Sequence, residues 1–152
     1  MASRLKPLAI NQGYITMNQK IEKLFTEYEA AFSNLDFNKI AEFYADSFIS
    51  AGPKGTIAQN RKDFIKMAEK ASEFYKSVGQ TSVRLFSTHE TPISDNYTMV
   101  TTYWGATFKK TGDKLIEFDV SYIIQMTSDE PKIIMFIAHQ DEEEAMKKLE
   151  LM

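Results

Sequence analysis

Residues 96–109, NYTMVTTYWGATFK, and 114–127, KLIEFDVSYIIQMT, decide the fold. In both stretches β-branched and aromatic residues recur with a period of two, which is the pattern of strands. Both exceed the usual strand length of about five or six residues. Strands that long must twist and bend around something. Gly105, inside the first stretch, is a natural place for a bulge or kink. Working outward, the same period predicts strands at 81–90 and 132–139. Pro92 to Asp95, Lys110 to Asp113 and Ser128 to Pro131 supply the turns between them.

Upstream of Gln80 the period becomes helical. Ile21, Leu24, Phe25, Tyr28, Phe32 and Leu35 form one stripe, with Thr16 and Gln19 as a possible capping box. Asp36 is placed to cap a short second helix carrying Phe37, Ile40, Phe43 and Tyr44. Phe48 to Ala51 reads as a short strand, and Gly52, Pro53 and Gly55 break the chain into a loop. Asn60 then caps a third helix with the stripe Phe64, Met67, Ala68, Ala71, Phe74, Tyr75 and Val78, and Gly79 stops it. A last helix begins at Asp141, with Glu142, Glu143 and Glu144 at its positive end. Helices followed by a bent meander predict an α+β fold in which the helices pack into the concave face of a curved sheet.

The totals narrow the function classes. The 152 residues fit one domain, read as an extended or disordered arm at 1–16 and a domain over 17–152. Hydrophobic residues at 43% can build a core without disulfides or metals. A net charge of −3, mixed in sign, lacks the basic footprint of a nucleic-acid partner. Cysteine is absent, which removes disulfides, thiol catalysis and Cys-ligated metals. No apolar run approaches the ~20 residues of a membrane span. Leu8-Ala9-Ile10 is too short for the apolar region of a signal peptide, so the expected location is cytoplasmic with no membrane partner.

The order helix, helix, strand, helix and four strands resembles the nuclear transport factor 2-like superfamily, which includes ketosteroid isomerase and the SnoaL-like polyketide cyclases. Tyr28-Glu-Ala-Ala-Phe32, Asp36, Ile40, Tyr44-Ala-Asp46 and Phe48 resemble its paired opening helices. Lys132 to His139 resembles the closing strand of SnoaL-like members. The likeness covers roughly residues 18–140. It implies a cone-shaped, cystatin-like fold with an apolar pocket, often dimeric, in enzymes and pure binders alike.

Under that resemblance Tyr28 falls where the isomerases carry an oxyanion-donating tyrosine, and the plainer reading is a core tyrosine with a satisfied hydroxyl. The position of the isomerase base holds Gly52, which moves no proton, so ketosteroid isomerisation is not expected. Ser121 matches the second oxyanion acid. Asp119, two residues earlier on the same face, could imitate that donor if burial kept it protonated, or could simply face water. His139 offers acid–base chemistry near the cone mouth, or sits structurally beside a helix start. Arg84 could bind a carboxylate ligand or pair with an acid. Trp104 and Phe108 alternate along the face that the match points into the cone, as core or as ligand walls. Two separated histidines make a poor metal set, and no phosphate loop or dinucleotide fingerprint calls for a cofactor.

Three functional readings follow. The leading one is an apolar pocket for a small apolar or aromatic molecule. The second is a SnoaL-like cyclase, isomerase or dehydratase using Tyr28, Asp119 and His139 on an enolisable substrate. The third is a non-catalytic dimerising scaffold. The closing strand is apolar on both sides, with Ile133, Met135 and Ile137 expected on one and Ile134, Phe136 and Ala138 on the other. A sheet exposed on one face alternates apolar with polar, so a homodimer joined through the sheet is expected.

Overall fold

The structure, a computed structural model, describes residues 18–127 and 129–151. The expected arm at 1–16 and Thr16 of the expected capping box lie outside them. Helix α1, Gln19–Ser33, is capped by Asn18, whose side chain accepts from the Lys20 N–H. Its apolar stripe, Ile21, Leu24, Phe25, Tyr28 and Ala31, is buried. Asp36 caps α2, Phe37–Ala41, and Asn60 caps α3, Arg61–Ser77, each accepting a backbone N–H of the first turn. Past the end of α3, Gly79 takes φ 75°, the left-handed conformation in which a side chain would be strained.

Six strands form one sheet: β1 Tyr44–Gly52, β2 Gly55–Asn60, β3 Gln80–Pro92, β4 Tyr97–Phe108, β5 Ile116–Gln125 and β6 Lys132–Ala138. Their order is β2-β1-β6-β5-β4-β3, with β1 and β6 parallel and the other neighbours antiparallel. The sheet is curved and unclosed, and the helices lie in its concave face, as expected for an α+β cone. Two strands differ from the sequence reading. The second helix ends at Ala41, and β1, read as Phe48 to Ala51, already begins at Tyr44, which was read as helical. Residues 55–60, read as loop running into the third helix, form β2 and pair back onto β1. Five of those six residues are exposed, so no alternation of apolar and polar marked them as a strand.

Two registers also differ. Gly105 pairs in line with Glu117 of β5, and the irregularity lies opposite, in β3 between Leu85 and Ser87. The glycine is needed because a Cβ there would collide with the Phe86 ring. In β6 the register slips opposite Ile123 and Ile124. Ile133 therefore points inward with no exposed surface, and Phe136 packs inward on Tyr44 and Tyr122. The strict alternation expected along β6 breaks at this slip, and Ile134 joins Met135 on the outer face.

The concave face carries Val100, Thr102, Trp104, Ala106 and Phe108 of β4, and Ile116, Phe118, Val120, Tyr122 and Ile124 of β5. Their alternation is visible in the burial of β4, where each even-numbered residue is buried. Phe25 meets Tyr122 at 5.1 Å between ring centroids, and Tyr28 meets Trp104 at 5.9 Å, so α1 is the centre of the core. A last helix, α4, Glu142–Lys148, is capped by Asp141 and follows β6 directly.

Candidate functional site

The inside of the cone is a packed aromatic core with three phenols in it. Tyr28 comes from α1, Tyr44 from the start of β1 and Tyr122 from β5, and all are at most 5% exposed. The Tyr28 and Tyr44 hydroxyls are 2.8 Å apart, and the Tyr28 and Tyr122 rings pack at 5.8 Å between centroids. Burial raises all three phenols above their ordinary range, so each stays a neutral donor. Three hydroxyls carry three protons, and the bond between Tyr28 and Tyr44 uses one. Among the described residues the cluster therefore has hydroxyl protons beyond that bond, in surroundings otherwise made of Phe25, Phe43, Phe32 and Trp104 rings.

Trp104 and Phe108 were expected as walls of an open cavity. Both have no accessible surface, so no water-sized void touches either ring. The Trp104 indole N–H donates to the Thr102 hydroxyl at 2.7 Å, and its ring stacks on Phe118 with planes 4° apart. Met146 of α4 and Leu151 beyond it, which the sequence reading did not single out, join the same buried cluster.

The three residues grouped for proton transfer do not converge. Tyr28 faces inward, whereas Asp119, Ser121 and His139 share the outer face of the sheet. Period-two alternation explains the split: Val120 and Tyr122 point into the cone, so 119 and 121 must point out. Asp119 is held by Gln140, which donates to its carboxylate at 2.8 Å and accepts from its N–H at 2.7 Å. Ser121 Oγ and His139 Nε2 are 2.8 Å apart, with Thr101 Oγ1 at 3.4 Å from Ser121. A serine beside a histidine is the start of a nucleophile–base pair. Here no described carboxylate pairs with the His139 ring to orient it, and the histidine is exposed on an open sheet. Arg84 is exposed on the edge strand, its Nε 4.0 Å from Glu29.

Sequence reasoning passed over Glu142, treated only as part of an acidic helix start. Its carboxylate accepts from the Tyr75 hydroxyl at 2.8 Å, and burial pushes its carboxyl above the ordinary range despite that bond. Tyr75 is raised too, by burial and by the neighbouring Glu142 charge. Three consecutive glutamates look alike in sequence; which of them turns inward depends on how α4 docks. Its neighbours Asp141 and Glu143 instead meet Lys54 of the β1–β2 turn at 3.5 and 3.7 Å.

At the opposite end of the cone an open groove of about 670 Å³ runs between α1, α2 and the β5–β6 connection, with Leu24 and Phe43 among its lining residues. Its charges are largely matched: Lys23 with Glu27, Lys39 with Glu42, Lys132 with Glu130 and Arg61 with Asp46. Mixed, paired charge of this kind selects no particular sign of ligand. Among the described residues no group of three or more His, Asp or Glu side chains is placed to hold a metal ion, and no helix is long and apolar enough to cross a membrane.

The fold recurs widely among solved structures at low sequence identity. An NTF2-like protein of unknown function from Shewanella oneidensis MR-1 superposes with a TM-score of 0.64 at 14% identity, over 80% of this chain and 97% of that one. A second, from Pseudomonas putida KT2440, gives 0.66 at 10% identity over 80% and 84%. The beta subunit of a benzoate 1,2-dioxygenase from Burkholderia mallei gives 0.61 at 12% identity over 86% and 95%. No curated protein matches. These likenesses bear on the fold alone. The family model described as NTF2-like protein (DUF6841) matches residues 18–141, and the chain belongs to that family.

Proposed function

We propose that this protein is a binding module for a small, apolar, aromatic molecule that carries a carbonyl or phenolic oxygen. The observation behind this reading is the Tyr28–Tyr44–Tyr122 cluster. Three phenylalanines would fill the same space without burying hydroxyls, which cost free energy unless they are bonded. A spare phenolic proton inside an aromatic core is what a ligand oxygen needs: apolar walls give affinity, and one donor fixes orientation. A catalytic reading is less supported, because Asp119 and His139 face away from that core and position 52 is glycine. Glu142, half-buried beside Tyr75, is a carboxyl that such a reading could still use, and it belongs to α4 rather than to the sheet.

The test follows the fluorescence of Trp104, the only tryptophan, during titration with 1-naphthol, estrone and decanoate. Binding of the aromatic, oxygen-bearing probes is expected to change Trp104 emission. Tyr28→Phe should weaken 1-naphthol by about tenfold, the value of one buried hydrogen bond of ~1.4 kcal/mol. If no probe perturbs Trp104, or if Tyr28→Phe binds equally well, the reading fails.

A further inference from the structure

The interior is closed, so a ligand needs a way in, and α4 is a short helix packed against β5. The inner residues of β5 run Ile116, Phe118, Val120 and Tyr122 from the α4 end toward the phenols. Phe118 stacks on Trp104, and Tyr122 belongs to the hydroxyl cluster. Met146 and Leu151 are 2% and 8% exposed in the same core. Resting on the binding reading above, we propose that α4 and its Leu151 tail form a displaceable plug, and that an aromatic ligand binds by taking the places of Met146 and Leu151.

Four features carry this. First, α4 has seven residues, and a helix that short does not persist in water without packing. Once undocked it has no structure of its own to preserve. Second, its hydrogen bonds and ion pairs to the body come from side chains at the rim: Tyr75 to Glu142, Lys54 to Asp141 and Glu143, and Lys110 to the Glu150 carbonyl. No strand pairing holds it. Third, the tail is turned inward by a strained residue. Glu150 has φ 59°, a left-handed conformation that side chains other than glycine rarely adopt, and it returns Leu151 to the core with the Leu151 N–H donating to the Met146 carbonyl. Release of the tail relieves that strain. Fourth, the family match ends at residue 141, one residue before α4 begins, so the plug lies outside the part of the chain that the family shares. Methionine, with its flexible thioether, is suited to filling a space that another apolar group will occupy.

Hydrogen exchange of the full chain, with and without 1-naphthol, tests the proposal. Ligands ordinarily protect the amides around them. Here the amides of Ala145, Leu149 and Leu151, bonded in the docked state, should lose at least tenfold protection as Trp104 emission saturates, while β4 and β5 stay protected. Met146→Ala with Leu151→Ala should bind 1-naphthol about tenfold more tightly, because the closed state no longer competes. Binding to that variant but not to the native chain would reflect only the cavity that the substitutions create, and overturns the plug. Saturation with α4 still protected overturns the plug and leaves the binding reading standing. No binding by either protein overturns both. Should the double variant fail to fold, the exchange of the native chain decides.

Discussion

Glu142 shows at the scale of one residue how α4 can respond to its surroundings. Its carboxyl is raised above the ordinary 4.5 by burial, with the Tyr75 hydrogen bond opposing. A group whose folded pKa is raised binds its proton more tightly when docked. Its contribution is therefore full below about 4.5 and is lost as pH rises through the docked value. The other charged groups around it do not reverse this sign. Asp141 is held below its ordinary value by the Glu144 N–H, so it stays ionised across the window, and Lys54 is raised by Asp141 and Glu143, so it stays charged. Protection factors of the Ala145, Leu149 and Leu151 amides should accordingly be highest near pH 4.5 and decline toward pH 8. Glu142→Gln keeps an acceptor for Tyr75 and should flatten the profile. A native profile that is flat, or that rises with pH, would contradict this assignment.

At the scale of elements, the pairing of β3 with β4 rests on an exchange between one glycine and one ring. Phe86 sits at the irregularity of β3, is 45% exposed, packs on Tyr103 at 5.5 Å between centroids, and lies over Gly105. The glycine is buried in a regular part of β4, where glycine usually weakens a strand. Its value is the space it leaves for the ring. Gly105→Ala should therefore destabilise the fold by about 1–2 kcal/mol, toward the low end for overpacking because an exposed ring can shift. Urea unfolding measures this. In a Phe86→Ala background the same change should cost much less, since only the exposed Leu115 side chain then has to give way. An equal cost in both backgrounds would mean that the β4 backbone, not Phe86, demands glycine.

At the scale of the whole molecule, the outer face of the sheet is the surface left to explain. Ile49, Met135, Ile123 and Met99 lie in one row across β1, β6, β5 and β4, and Ala51, Ile137, Ser121 and Thr101 in the next. The first row is wholly apolar, and Ile137 in the second is 37% exposed. We propose that a second copy of this chain covers this face, since a twofold axis is the commonest way to bury such a surface. Size exclusion with light scattering at micromolar concentration should give a dimer mass. Ile137→Asp should shift it to monomer without unfolding the core, because the side chain points away from it. A monomer mass for the native chain would end this reading, and would leave Ser121 and His139 on an open surface.

What the sequence determined by itself is the order and type of most elements, because periodicity is a local property. The stripe of α1, the caps Asp36 and Asn60, the stop at Gly79 and the two long strands were all legible from neighbours a few residues apart. So was the resemblance to the nuclear transport factor 2-like proteins, which the family match bears out over residues 18–141. Strand β2 was not, since a largely exposed strand needs no apolar alternation and is fixed by its partner β1. Tertiary structure alone decided which side of β5 faces the helices. A period of two leaves two equivalent choices, and only packing against Phe25 and Tyr28 sends Tyr122 inward and Asp119 and Ser121 outward. It also decided that Tyr44 meets Tyr28 across sixteen residues, and that Glu142, among three adjacent glutamates, is the one that meets Tyr75. Pairing across distance and the depth of a side chain are properties of the assembled chain, and no local pattern encodes them.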